Sequence, residues 1–168
     1  HYGGPKFYKR VQYVYHITIE VFNKYIIGQL TEACILALLC YVGMKIFRFD
    51  YSLIISVLIG VTALVPIVGA YVGGGIAFFL LLIISPIKAV LFLVYLIVLQ
   101  QLENNFIYPH VVGTSLGLPP LLVMLAIILG GGLFGFVGML IGVPIMAIIY
   151  TLIKNDLASR MEQHTLEE

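Results

Sequence analysis

Between Lys6 and Tyr25 apolar residues recur near helical spacing, at Phe7, Val11, Val14, Val21, Phe22 and Tyr25, with Lys6, Lys9, Arg10, Glu20 and Lys24 between them. That pattern predicts an amphipathic helix over residues 1–27. Its basic end suits an anionic cytoplasmic leaflet, and its apolar stripe suits either the membrane interface or another part of the protein. Beyond it the pattern turns from periodic to continuous. Tyr51 to Ile87 and Val111 to Ile153 hold no formal charge, and each run far outlasts the roughly 18 to 20 apolar residues that cross hydrocarbon. Two further apolar runs, about Ile26–Phe47 and Ala89–Leu102, tolerate Glu32, Lys45 and Lys88 only near their ends.

The Tyr51–Ile87 block would measure about 55 Å as one helix, against a hydrocarbon core of ~30 Å. Pro66, Gly69 and Gly73 to Gly75 interrupt it, and Pro86 can begin the next helix, so two short helices are expected to meet between Pro66 and Gly75. The late block repeats the pattern with Gly130 to Gly132, Gly135, Gly138, Gly142 and Pro144. Paired Gly/Pro-interrupted segments mark binding sites in secondary transporters, because freed backbone groups must face a cavity or protein rather than lipid. The same glycines, Gly131, Gly135 and Gly138 among them, also suit close helix packing. The expected fold is therefore all-α and polytopic. The spans fall at about 28–47, 52–66, 68–85, 87–103, 119–131 and 133–153, within a transmembrane domain of residues 28–153, and a polar cytoplasmic tail follows at 154–168.

Composition agrees: 61% of residues are hydrophobic and 10% charged, with a mean hydropathy of +1.09, where soluble domains run near half apolar and a quarter charged. The net charge of +1 supplies no general attraction to nucleic acid, so charges matter by position. Lys6, Lys9, Arg10 and Lys24 before the first span outweigh Lys45, Arg48 and Asp50 after it, which places the N-terminal side in the cytoplasm. Cys34 and Cys40 lie about 9 Å apart along one helix, too far for a disulfide. The four histidines are too scattered for a metal motif. No metal and no cofactor are expected. His1 stands where an initiator methionine would, and the first 25 residues lack the apolar core of a signal peptide, so the sequence reads as part of a longer or processed chain.

The longest polar-containing stretch between apolar blocks is QQLENNFIYPHVVGTSLGLPP, Gln100 to Pro120. Gln100, Glu103 and Asn104 fall on neighbouring helical positions and can form one polar face. An ionisable group in a membrane is costly and often marks a pathway, though Glu103 at a helix end also suits the headgroup layer. Asn104 and Asn105 can satisfy helix-end carbonyls, and Pro109, Gly113, Gly117, Pro119 and Pro120 punctuate a turn. Ser115 and His110 lack an acyl-transfer signature, so no catalytic residue and no enzyme are expected. Thr31, Glu32 and Lys88 are secondary polar candidates with a headgroup explanation.

Beyond these local readings, QQLENNFIYPHVVGTSLGLPPLLVMLAIILGGGLFGFVGMLIGVP resembles the C-terminal signature of the autoinducer-2 exporter family of bacterial membrane permeases, and LVPIVGAYVGG and GQLTEACILALL resemble elements upstream of it. The chain departs from that family at Thr114, where a basic residue is frequent, and at Pro119, where a histidine or similar polar group is. The resemblance implies a multi-pass bacterial inner-membrane permease, homo-oligomeric, exporting a small polar solute such as a quorum-sensing signal. A sodium/proton-type cation antiporter is the alternative within the same family. A membrane oligomerisation scaffold without transport is the further one. On this reading the partners are membrane lipid and a small-molecule or ion substrate. Gln100, Gln101, Glu103, Asn105 and Ser115 are the pathway candidates. Pro66, Gly69, Gly73, Pro109, Gly113, Gly117, Pro120, Gly131, Gly135, Gly138 and Pro144 are the hinge or helix-break candidates.

Overall fold

The computed structural model describes residues 4–108, 110–111 and 117–165, and every regular element among them is helical. In chain order these are α1 (Gly4–Ile46), α2 (Ser52–Ala63), α3 (Val68–Ile84), α4 (Pro86–Leu102), a π-helical turn (Glu103–Ile107) and α5 (Pro120–Thr165). The all-α, membrane-helix class read from the hydrophobic pattern is what the chain adopts. Tyr8–Ile46, Pro86–Ile107 and Pro120–Ala158 are long and apolar enough to cross a membrane, and α2 and α3 are shorter apolar helices. At 12 residues, α2 reaches only about 18 Å.

Two compact units share the chain, one of residues 26–115 and one of residues 1–25 with 116–168. In the first, Leu36, Cys40 and Met44 of α1 pack with Ile55 and Ile59 of α2, Ala77 and Leu81 of α3, and Phe92 and Leu99 of α4. Gly43 leaves room for the Tyr95 ring, whose hydroxyl donates to the Leu39 carbonyl at 2.7 Å. The core thus brings α1 and α4 into direct contact. Cys34 is exposed and Cys40 buried, both as free thiols.

The break between α2 and α3 falls at residues 64–67, at the N-terminal edge of the expected Pro66–Gly75 window. Gly69 and Gly73 stay helical because α3 packs closely there on the Thr62 carbonyl and hydroxyl. Ile67 sits at φ 67°, ψ −58°, and the Val68 amide donates to the Pro66 carbonyl at 2.7 Å. This is the rare positive-φ γ-turn, a strained geometry for a β-branched residue. Ile67 is half exposed, so Ile67→Gly is expected to relieve the strain and raise thermal stability in detergent by about 1 kcal/mol. Proline then begins α4, as anticipated: Pro86 occupies its first turn, and the Ser85 hydroxyl accepts from the Lys88 amide. The Lys88 ammonium pairs with Asp50.

In the second unit the backbone of α5 leaves helical geometry only at Phe134 and Gly135, folding residues 120–133 back against 136–165. Gly135, at φ 61° and ψ −139°, occupies a region essentially closed to residues with a Cβ. Below the turn Gly130 and Gly138 face each other backbone to backbone, and Gly142 meets the Ala126 carbonyl. Gly131 packs under the Met139 side chain. Pro144 is buried within the second arm and does not end it. The late block is thus divided once, and its remaining glycines let the two arms touch. The basic stretch of α1 belongs to this unit, where Asn155 donates to the Tyr13 hydroxyl at 2.8 Å and Arg10 lies 3.6 Å from Asp156.

Candidate functional site

The polar stretch opens on the last turn of α4. The helix then widens into the π turn over Glu103–Ile107, where each closing hydrogen bond spans one extra residue, a feature frequent at functional sites. That extra residue divides the polar face expected from α-helical spacing. Gln100, Gln101 and Asn104 line a groove of about 460 Å³ with Ile67, Tyr71, Gly74 and Gly75 of the α2–α3 break and α3. Glycines 74 and 75 leave α3 without bulk there. Asn105 spends its amide on the Gln101 carbonyl at 2.8 Å and on the Gln101 side chain at 3.3 Å. It closes the helix end as its residue type allows.

Glu103 is half-buried, and its Oε2 is shielded from solvent without a hydrogen-bond partner among the described residues. Glu32 is only 1% exposed and Gln29 only 3%. The Gln29 amide nitrogen donates to Glu32 Oε2 at 2.7 Å and to the Ala63 carbonyl at 2.9 Å. Ala63 ends α2, so Gln29 satisfies a main-chain group that the break at 64–67 sets free. The headgroup explanation for Glu32 does not hold, since its carboxyl lies inside the unit. Thr31 does sit on the exposed side, bonded to the Ile27 carbonyl. Gln29 was not singled out from the sequence. The available signal was its register: Tyr25, Gln29, Glu32, Leu36 and Cys40 are all buried on α1, so two polar residues occupy an otherwise apolar helical stripe.

His110 hydrogen-bonds the Phe106 carbonyl at 2.6 Å through Nδ1. Gly117 lies in the loop before α5, which begins at Pro120. Pro109, Gly113 and Ser115 lie outside the described residues.

Sequence comparison identifies the setting of this geometry. The profile described as AI-2E family transporter matches residues 5–157. The chain belongs to the AI-2E transporter family. YrrI of Bacillus subtilis (strain 168), provisionally named a transport protein, is 37% identical over 139 residues, covering 82% of this chain and 39% of its own length. YueF of the same organism, similarly named, is 31% identical, covering 83% of this chain and 40% of its own length. PerM of Escherichia coli (strain K12), provisionally named a permease, is 32% identical over 135 residues, covering 78% of this chain and 38% of its own length. The chain therefore spans about two fifths of the relatives it matches. No solved structure matches it. As an AI-2E family chain with long apolar helices, it is an integral membrane protein.

Proposed function

We propose that this chain forms part of a permease that moves a small polar solute, such as a quorum-sensing signal, outward across a bacterial inner membrane. The observation that carries the reading is the groove bearing Gln100, Gln101 and Asn104. Three amide side chains converge on a space otherwise bounded by apolar residues and thinned helix, the composition of a site that orients a small ligand. Amides offer both donors and acceptors without net charge, which suits a neutral, hydroxyl- or carbonyl-bearing solute better than an ion. Gln100 is part-buried with its amide nitrogen unpartnered, and so has a donor to give.

The test is solute flux into liposomes holding the purified chain or a longer parent. Gln100→Leu is expected to cut flux at least tenfold, the equivalent of losing about 1.4 kcal/mol of ligand interaction, while the oligomeric state stays that of the wild type. Undiminished flux in that variant removes the groove from the pathway. A tight oligomer that passes no solute supports the scaffold reading instead. A second reading, sodium/proton-type exchange, draws on a different observation, the carboxyl of Glu32 buried on α1. Flux that follows an imposed sodium or proton gradient in the absence of organic solute supports it.

A further inference from the structure

Four glycines fall inside α3, at positions 69, 73, 74 and 75. Glycine in a helix interior is less stable than alanine, and none of the four has the positive φ that would call for it. Three have a packing reason. A Cβ at Gly69 would run into the Thr62 carbonyl, one at Gly73 into the Thr62 hydroxyl, and one at Gly74 into the Leu96 side chain. All three are buried where α2 or α4 presses on α3. Gly75 has no such reason, because a Cβ there meets nothing within 4 Å. It lies half-buried on the wall of the groove that Gln100, Gln101 and Asn104 also line. What the missing side chain preserves at position 75 is therefore space in the groove.

We propose that Gly75 is the specificity-determining position of the groove: it sets the bulk of the molecule admitted there. Glycine is the residue that lets a ligand come up against bare main chain. The amides of Gln100, Gln101 and Asn104 orient that molecule through hydrogen bonds, and the bare stretch of α3 limits its size. Each carbon added at position 75 projects into the space of about 460 Å³ and takes the same room from the largest occupant. A mismatch of one methylene in a hydrophobic pocket is worth about 10- to 200-fold in discrimination, so the two branches of a valine are expected to register. That the occupant is the transported solute rests on the permease reading; the size limit itself belongs to the groove.

Thiol labelling in liposomes measures that limit without transport. Cys34→Ser removes the exposed native thiol, and Gln100→Cys places one in the groove. Modification rates are then compared for methyl methanethiosulfonate and the bulkier benzyl methanethiosulfonate. Adding Gly75→Val is expected to slow the benzyl reagent at least about tenfold and the methyl reagent less than about twofold. Gly132→Val, at a helical glycine likewise open to a Cβ but away from the groove, is expected to slow neither. Equal slowing of both reagents by Gly75→Val, or of neither, overturns the proposal. So does a change of oligomeric state in Gly75→Val alone, which makes position 75 a contact between helices of neighbouring chains. Should that variant lose helix by circular dichroism, Gly75→Ala carries the same comparison. Flux of ribose and of the larger disaccharide maltose, run in parallel, separates this proposal from the permease reading. Gly75→Val is expected to lower maltose flux more than ribose flux, where Gln100→Leu lowers both. Wild-type flux that Gly75→Val leaves unchanged for both sugars sinks the size limit and leaves the permease standing. Labelling that follows reagent size in a protein passing neither sugar does the reverse.

Discussion

Gly138→Val is expected to force the two arms of α5 apart and to lower unfolding stability by about 3 kcal/mol, the upper part of the range for overpacking. A Cβ at position 138 would run into the Gly130 carbonyl, and one at position 130 would run into the Gly138 carbonyl. Backbone on both sides leaves no flexible side chain to yield. Thermal unfolding in detergent, followed by circular dichroism, measures the loss. Gly132→Ala supplies the contrast. It is also a helical glycine of the late block, but a Cβ there meets nothing within 4 Å, so it is expected to be neutral or to stabilise by about 0.5–1 kcal/mol. Equal losses in the two variants would show that helix propensity, and not close approach of the arms, governs this region.

Gln29→Leu is expected to have the second large effect. The change removes two donors from a buried site and leaves the Ala63 carbonyl and the Glu32 carboxyl without them. Each unsatisfied buried acceptor costs about 1–3 kcal/mol, and no water is at hand in a membrane interior to replace them. The sum places the loss at roughly 2–6 kcal/mol, which lowers the melting temperature by on the order of 10 °C at this chain length. Gln101→Leu, at an exposed glutamine that donates no side-chain hydrogen bond among the described residues, is expected to change stability by less than about 0.5 kcal/mol. A Gln29 variant as stable as that control would show that the Ala63 carbonyl and Glu32 find other partners.

The candidate site was partly legible. Gln100, Gln101 and Glu103 stood out because amides and a carboxylate are rare inside an apolar pattern. That Gln100 and Gln101 line the groove while Glu103 does not was not legible, since hydrophobic periodicity has no mark for a π turn. Glu32 was visible as a charge in an apolar run, but its position near the start of a span favoured the headgroup layer. Its true surroundings depend on the end of α2, far away in the chain, whose Ala63 carbonyl Gln29 bonds together with Glu32. Asn105 followed its local chemistry, because the Gln101 carbonyl it caps is only one turn away.

Local quantities settled most of the fold. Hydropathy sums over some twenty residues established a membrane protein built of helices. Pro66, Pro86 and the glycine cluster around Gly135 marked where helices stop or start, because a missing amide hydrogen or a missing Cβ acts on the backbone at its own position. Pairing between distant elements needed the folded chain: which glycines bend and which let helices touch, and how the break at residues 64–67 obtains a donor from α1. Those outcomes depend on the relative placement of helices, which hydrophobic burial rewards without specifying, so that close packing and hydrogen-bond satisfaction choose the register.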